Sequence, residues 1–216
     1  MNWNSKKRMC GTEEQDSPFG GMPPLIINTS NEQQQPSCGI RVVENKIMFY
    51  GEIEYNACLE LNRLLYEVDN KLQSTRHVLG DDCLNPVINL HLNTMGGEIY
   101  SAFSTVDTIR NLKSRVHTHC DGLVASAGTL ISIVGTKRYA GKYSHMLIHQ
   151  LSSGTYGPLS EMENDINTCT NLMKLMKEFY KKYTKVPMKK MDELMKQDLY
   201  LTAEECLAYG IIDEIR

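Results

Sequence analysis

The first candidate for chemistry in this sequence is a serine placed among small residues. Ser126 lies between Ala125 and Ala127 in the stretch GLVASAG, after an apolar run that predicts a strand and before a run that predicts a helix. Small neighbours allow a sharp turn that exposes the hydroxyl, and the amide of the next residue then points to where an oxyanion would form. The pattern is typical of a nucleophile. A serine at an ordinary strand-to-helix turn has the same sequence, so a nucleophile would also need a partner.

A histidine that could be this partner ends the next apolar run. His149 is the fifth residue of the stretch HMLIHQ, and in a parallel sheet it would lie at the same edge as Ser126. A neutral imidazole within hydrogen-bond reach takes the proton of a serine. With six histidines in the chain, an ordinary core or surface histidine is the alternative. His117 and His119 have the spacing of a metal-binding pair, but no third ligand is evident, so we predict no metal site.

Two further features could complete a site for acyl transfer. Gly96 and Gly97 form a second glycine turn, where a backbone amide could join that of Ala127 in an oxyanion hole. The alternative is a tight turn that only needs glycine for its positive φ. Asp198 could orient the histidine, although spacing alone does not distinguish it from Asp192 or from any surface acid.

The elements that must position these residues alternate between strands and helices. Residues 40–53 predict a β-hairpin, and leucines at helical spacing predict a helix over residues 56–72. This order predicts an α/β fold with a largely parallel sheet, whose carboxyl edge holds both glycine turns. Further strands are predicted over residues 87–92, 115–120 and 145–149, with a helix over 99–109 and glycine turns at 96–97 and 122–128.

The last third of the chain is predicted to be helical. The first of its helices covers residues 158–183 and is longer than a compact domain of this size needs. Shorter helices are predicted over residues 188–197 and 202–209. The second of these begins with Thr202 followed by Glu205, which is the pattern of a capping box.

Four stretches of the chain together resemble one known family. They are LHLNTMGGEIYSAFSTVDTIR, GLVASAGTL, HMLIHQ and DLYLTAEECLAYGIIDEI, and in this order and spacing they resemble the ClpP family over residues 40–216. The resemblance implies a crotonase-like α/β spiral of β-β-α units, with a protruding handle made of a strand in residues 152–156 and the long helix. It places the peptidase domain at residues 39–216. Residues 1–38 are rich in Gly, Pro, Ser, Asn and Gln, and we predict a mobile arm there that serves as a propeptide or an axial loop.

The resemblance also implies an activity and an assembly. It assigns a serine endopeptidase with Ser126 as nucleophile, His149 as base and Asp198 as the group that orients the base, while the amides of Gly97 and Ala127 form the oxyanion hole. It implies a homo-oligomer in which two rings of seven subunits stack into a tetradecamer. A hexameric AAA+ unfoldase would deliver unfolded polypeptides and use the ATP, so this chain is expected to need no cofactor and has no G-x-x-x-x-G-K-[ST] loop.

The chain departs from the family pattern at a few positions. Met95 and Leu151 stand where the family has prolines, and the separation of Ser126 from His149 is slightly shorter than usual. Two alternatives therefore accompany the peptidase interpretation. One is a catalytically silent subunit of a mixed ring, and the other is a different crotonase-like enzyme, either an acyl-CoA lyase or a serine–lysine peptidase. The lysine of such a peptidase would be Lys137 or Lys142.

Composition excludes several other classes of protein. The net charge is −3, with both signs interspersed, so there is no basic field for nucleic acid. The seven cysteines are scattered without the paired spacing of a zinc or redox motif, which indicates reduced thiols and a cytoplasmic location. No run approaches the roughly 18 apolar residues of a membrane-spanning helix, so no membrane contact is predicted.

Overall fold

The computed structural model describes residues 39–80 and 85–216. Residues 1–38 lie outside the described residues, and the prediction of a mobile arm, propeptide or axial loop for them stays a prediction. Residues 81–84 also lie outside the described residues.

The described residues form one mixed sheet. In chain order its strands are β1 (Gly39–Val43), β2 (Lys46–Tyr50), β3 (Val87–Thr94), β4 (Arg115–Ala125), β5 (Lys137–Ala140), β6 (His145–Leu147), β7 (Tyr200–Thr202) and β8 (Glu214–Ile215). The main order across the sheet is β1-β2-β3-β4-β5-β8. The predicted hairpin is confirmed as the antiparallel β1–β2 pair, and from β2 to β8 the neighbours are parallel, as expected for an α/β fold. Strands β5, β7 and β8 are two to four residues long and were too short for periodicity to predict.

Strand β4 changes its partner halfway along its length. Its first half pairs with β5, and its last three residues pair with β6, which in turn pairs with β7. Gly122, with φ 81°, lies at the change, and the hydroxyl of Ser144 accepts from the Gly122 amide at 3.0 Å and donates to the Cys120 carbonyl at 2.8 Å. The prediction of a turn over residues 122–128 was therefore wrong in its first half. A bulge at Gly122 redirects the strand, which continues to Ala125.

Six helices connect the strands of the described chain. The first, α1 (Tyr55–Leu79), runs seven residues beyond the predicted end and stops at Gly80, whose φ of 61° suits a helix C-terminus. The last carries the predicted capping box, in which Thr202 accepts from the Glu205 amide and the Glu205 carboxylate accepts from the Thr202 amide. The helices are α1 (Tyr55–Leu79), α2 (Ile99–Asn111), α3 (Ala127–Ser132), α4 (Leu159–Tyr183), α5 (Met188–Lys196) and α6 (Ala203–Ala208).

The core lies on one face of the sheet. Along β3, Ile88, Leu90 and Leu92 are fully buried, and each contributes roughly 1.5–3 kcal/mol by leaving water. The alternate residues Asn89 and His91 point to the other face and are only partly buried. The sheet is therefore covered by helices on one side, while its other side carries polar and aromatic residues.

The long helix α4 has two different halves. Its only buried residues, Met176 and Tyr180, lie in its last third, whereas Leu159 and Ile166 near its beginning are exposed. The predicted long helix of the handle is thus confirmed. The predicted strand over residues 152–156 is wrong for the single chain, since that segment pairs with no strand among the described residues. A strand needs a ladder partner, and this chain places none beside it.

Candidate active site

The turn between β4 and α3 holds Ser126 in an unusual backbone conformation. Its φ is 52° and its ψ is −127°, a combination that costs a non-glycine residue roughly 1–3 kcal/mol. The Ser126 amide donates to the Leu147 carbonyl at 2.8 Å, and the Ser126 carbonyl accepts from the Thr129 amide at 3.0 Å. A strained strand-to-helix turn with both backbone groups held is the geometry that presents a nucleophilic hydroxyl above a sheet.

The second glycine turn packs directly against Ser126. A Cβ atom on Gly96, whose φ is 100°, would lie 2.5 Å from the Ser126 Cβ. A Cβ atom on Gly97, whose φ is 143°, would lie 2.1 Å from the Ile53 carbonyl oxygen. Gly96 and Gly97 are thus needed for close approach as well as for positive φ. The tight turn expected from sequence is compatible with the other interpretation, in which a backbone amide of this turn contributes to an oxyanion hole.

One cleft of about 230 Å³ brings several of the predicted residues together. Ser126, Ala127, Gly97 and His149 all line it. Among the hydrogen bonds of the described residues, none uses the N–H group of Gly97 or Ala127 as donor. Two backbone donors beside a serine hydroxyl are the chemical requirement of an oxyanion hole.

The predicted base and its predicted orienting group are in contact, but loosely. His149 lies two residues beyond the end of β6, and its Nδ1 is 3.5 Å from the Asp198 Oδ1. The Asp198 side chain is 78% exposed, whereas that of His149 is 22% exposed. The described structure contains no hydrogen bond between Ser126 and His149. Catalytic hydrogen bonds are often long without substrate, so this arrangement is compatible with a triad but is not an assembled one.

Apolar side chains form the walls of the cleft. Met95 and Leu151, which replace family prolines, both line it, together with Leu130 and Met176. The cleft therefore has the apolar lining and the few convergent polar groups that are typical of a site for an extended peptide or another small ligand. Sequence patterns did not select Met176, because a methionine at helical spacing is typical of a core residue.

The histidines considered for a metal site have another role. His119 donates from Nε2 to the Asn89 Oδ1 at 3.0 Å, and its ring stacks on His91 and Tyr139 at 4.2 and 4.8 Å. His91 in turn contacts Asp121 at 2.7 Å. No cluster of three or more potential metal ligands occurs in residues 39–80 and 85–216. His91, His119 and Tyr139 form an aromatic stack on the uncovered face of the sheet, which is the face that the helices do not cover.

Two residues that sequence reasoning missed also contact the serine turn. Thr129 donates from its hydroxyl to the Ser126 carbonyl at 2.6 Å, and the Tyr180 hydroxyl lies 2.5 Å from the same threonine oxygen. Tyr180 belongs to a helix far along the chain, so no local pattern could have found it. The threonine three residues after a helix-starting serine was the only available signal.

The fold and the cleft together define an α/β protein of the spiral, crotonase-like type, with a serine at a strained strand-to-helix turn. Comparison with known proteins names the family. The model of the Clp protease family matches residues 64–216, and the chain belongs to this family.

Several relatives extend this match. The chain is 28% identical over 199 residues to an ATP-dependent Clp protease proteolytic subunit of Deinococcus radiodurans, covering 90% of this chain and 91% of the relative. It is 36% identical over 130 residues to proteolytic subunit 2 of Chlamydia muridarum, covering 59% and 64%. A ClpP1 variant from Listeria monocytogenes has the same fold, with a TM-score of 0.68 at 21% identity over 80% of this chain and 91% of that chain. The family resemblance and the fold class expected from sequence are confirmed.

The described helices also bear on the membrane question. None of them combines the length and the apolar character that crossing a bilayer requires.

Proposed function

We propose that this chain is a serine endopeptidase subunit that hydrolyses unfolded polypeptides with Ser126, His149 and Asp198. The observation that carries the proposal is the single cleft that joins Ser126, His149 and the amides of Gly97 and Ala127. Membership of the Clp protease family supports the peptide bond as substrate. Neither Lys137 nor Lys142 is among the residues that line the cleft, which disfavours a serine–lysine peptidase.

The proposed reaction follows from the groups around the cleft. His149 accepts the Ser126 proton while the serine oxygen attacks the carbonyl carbon of the peptide, and the carbonyl π electrons move to the oxygen. The Gly97 and Ala127 amides donate to this oxyanion. His149 then gives the proton to the leaving amine, which leaves an acyl ester on Ser126. Water, deprotonated by His149, attacks the ester and releases the acid and free Ser126, while Asp198 orients the imidazole throughout.

The assembly that we propose is the one expected from sequence, namely a homo-oligomer of two stacked seven-subunit rings. The exposed apolar side chains of Leu159 and Ile166 on the first half of α4 support association between copies. An AAA+ unfoldase is the proposed partner, supported by relatives that are named ATP-dependent Clp protease proteolytic subunits. ATP would then be used by that partner, and this chain would need no cofactor of its own. A cytoplasmic location stays part of the same proposal.

A second candidate function is a silent subunit that shapes a mixed ring without cleaving. Two observations favour it, namely the exposed Asp198 at 3.5 Å from His149 and the missing hydrogen bond between His149 and Ser126. A displacement of about 1 Å at a catalytic group can cost on the order of 100-fold in rate. The peptidase proposal requires that His149 forms hydrogen bonds with Ser126 and Asp198 when substrate binds. The silent-subunit proposal requires that it does not.

Labelling by a fluorophosphonate, measured by intact mass, distinguishes these candidates. The peptidase should take up one adduct, which Ser126→Ala and His149→Ala should abolish. The matched controls Ser74→Ala and His77→Ala, on the exposed side of α1, should label like the unmodified protein. Labelling that survives His149→Ala would indicate a serine–lysine enzyme, whereas a fully assembled ring that takes up no adduct would refute the peptidase proposal.

The role of Asp198 has its own matched control in Asp192, the acid that sequence could not separate from it. Asp198→Asn should slow labelling about 10-fold, far less than the ~10⁴-fold effect of replacing a buried triad aspartate, because solvent screens an exposed carboxylate. Asp192→Asn should leave labelling unchanged, since the ion-pair partner of Asp192 is Lys177, at 2.7 Å, and not His149. Equal rates in the two variants would remove Asp198 from the proposed triad.

A further inference from the structure

The serine turn is tied to the long helix through a buried pair of hydroxyl groups. Tyr180, in the last third of α4, is completely buried, and its hydroxyl oxygen lies 2.5 Å from the Thr129 Oγ1. Thr129 is also completely buried, and its Oγ1 lies 2.6 Å from the Ser126 carbonyl oxygen. A chain of two short hydrogen bonds thus joins α4 to the backbone of the proposed nucleophile.

The direction of both hydrogen bonds follows from proton counting. A carbonyl oxygen only accepts, so the single hydroxyl proton of Thr129 goes to Ser126. The bond between the two hydroxyls then requires the proton of Tyr180. Burial raises the pKa of Tyr180, and the hydrogen bond with Thr129 lowers it by a smaller amount. The pKa therefore lies above its usual value, and the phenol keeps this proton. Tyr180 is therefore the donor at the start of the chain.

We propose that Tyr180 is a positioning residue that holds Ser126 in its reactive conformation through Thr129. This inference rests on the proposed peptidase function, because it concerns the same serine. Tyr180 is not among the residues that line the cleft, and among the described hydrogen bonds its hydroxyl contacts only Thr129, so we propose that it acts through Thr129.

The turn is strained, and three hydrogen bonds hold its backbone in place. Ser126 has a positive φ, and α3, which follows it, has only six residues, fewer than an isolated helix needs to be stable. The Ser126 amide is held by the Leu147 carbonyl of β6. The Ser126 carbonyl is held by the amide and hydroxyl of Thr129, and the threonine hydroxyl is the group that α4 contacts through Tyr180.

Tyr180 is itself fixed by its surroundings. The neighbouring Phe179 ring packs edge-on against Phe103 of α2 at 5.6 Å and against Tyr183 at 4.7 Å. Met176, one turn earlier, is buried and lines the cleft. The hydroxyl of Tyr180 is thus delivered by a helix segment whose neighbouring residues pack against α2 and form part of the cleft wall, and such packing is what a positioning group requires.

The test compares Tyr180→Phe, Thr129→Val, Thr129→Ser and the Tyr180→Phe/Thr129→Val double variant. Each single change keeps most of the side-chain volume. The rate constant of fluorophosphonate labelling is measured across pH, and hydrogen exchange of peptides covering residues 124–130 is measured in parallel. Tyr139→Phe is the matched control, since Tyr139 is a buried tyrosine that packs on the uncovered face of the sheet.

We expect Tyr180→Phe to slow labelling about tenfold at every pH, since a shift of a few tenths of an ångström should cost part of the ~100-fold effect of a 1 Å displacement. Thr129→Val should slow labelling at least as much, whereas Thr129→Ser, which keeps the hydroxyl, should label like the unmodified protein. The double variant should label at the rate of Thr129→Val, because the two residues act in series. Exchange over residues 124–130 should rise in the slow variants. Tyr139→Phe should match the unmodified protein in both measurements.

Other results would overturn the proposal. Normal labelling and exchange in Tyr180→Phe would show that the phenol does not hold the turn, and additive effects in the double variant would show that the two residues act separately. An unmodified protein that does not label would refute the peptidase function instead. Even then, exchange over residues 124–130 would decide whether Tyr180 holds the turn.

Discussion

Replacing Gly96 by alanine should slow the reaction of Ser126 through a direct steric contact, in addition to destabilising the fold. The new Cβ atom would lie 2.5 Å from the Ser126 Cβ and 2.9 Å from the Ala125 carbonyl oxygen. Carbon atoms normally touch at about 3.5–4.0 Å, so one side must move by roughly 1 Å. A movement of that size at a nucleophile costs on the order of 100-fold in rate. The φ of 100° adds roughly 1–3 kcal/mol of backbone strain for alanine.

Two other glycines separate the contact from the strain. Gly80 has a φ of 61°, but a Cβ atom added there would meet no described atom within 4 Å, so Gly80→Ala introduces strain alone. Gly154 has open space and no positive φ, so Gly154→Ala introduces neither effect. Urea unfolding should show a loss of stability in Gly96→Ala and Gly80→Ala and none in Gly154→Ala. The rate of fluorophosphonate labelling should fall only in Gly96→Ala.

The outcome that refutes this reasoning is a Gly96→Ala protein whose Ser126 labels as fast as that of the unmodified protein. Gly96 would then not pack against the serine turn. An equal loss of labelling in Gly80→Ala would instead attribute the effect to general destabilisation. Only a selective loss in Gly96→Ala supports the contact as the cause.

The remaining predictions concern stability. Burial, with the charges of His91 and Arg216, lowers the pKa of His119 to about 4, so the folded state resists its protonation. Stability should therefore be lost as pH falls below the unfolded value of about 6.5, by about 2 kcal/mol between pH 7 and pH 5. In urea titrations His119→Gln, which cannot titrate, should lose that much less over this range, and equal losses would contradict the argument. Thr202→Ala should cost about 1 kcal/mol by removing the α6 cap, whereas Thr202→Ser should cost little; equal midpoints for both in urea would refute the cap.

The sequence was sufficient to predict the parallel sheet and the meeting of two of its turns. Ser126 and the Gly96–Gly97 pair each follow an apolar strand, and parallel neighbours bring such turns to one edge, where the structure has them in contact. Gly122 misled the prediction, because a glycine in a bulge and a glycine in a turn have the same local sequence. Only the ladder from β4 to β6 distinguishes them.

Contacts between distant parts of the chain were beyond such reasoning. Asp198 was selected by family resemblance, since its approach to His149 depends on how α5 and β7 pack. Tyr180 has the pattern of a core residue of a helix, and its hydroxyl bond to Thr129 appears only once α4 is packed on the sheet. The excess length of α4 was evident from sequence, and the structure shows its consequence, since Leu159 and Ile166 in the first half of the helix are exposed.

The ladder between the end of β4 and β6 makes the approach of Ser126 to the strand before His149 independent of the chain that lies between them. The hydrogen bond from the Ser126 amide to the Leu147 carbonyl fixes the approach of Ser126 to the strand that leads to His149. The number of residues that loop out between them, through α3 and β5, can then change without altering that approach. Insertions or deletions in that stretch are therefore expected to change the length of the chain while the serine and the histidine stay at the same edge of the sheet.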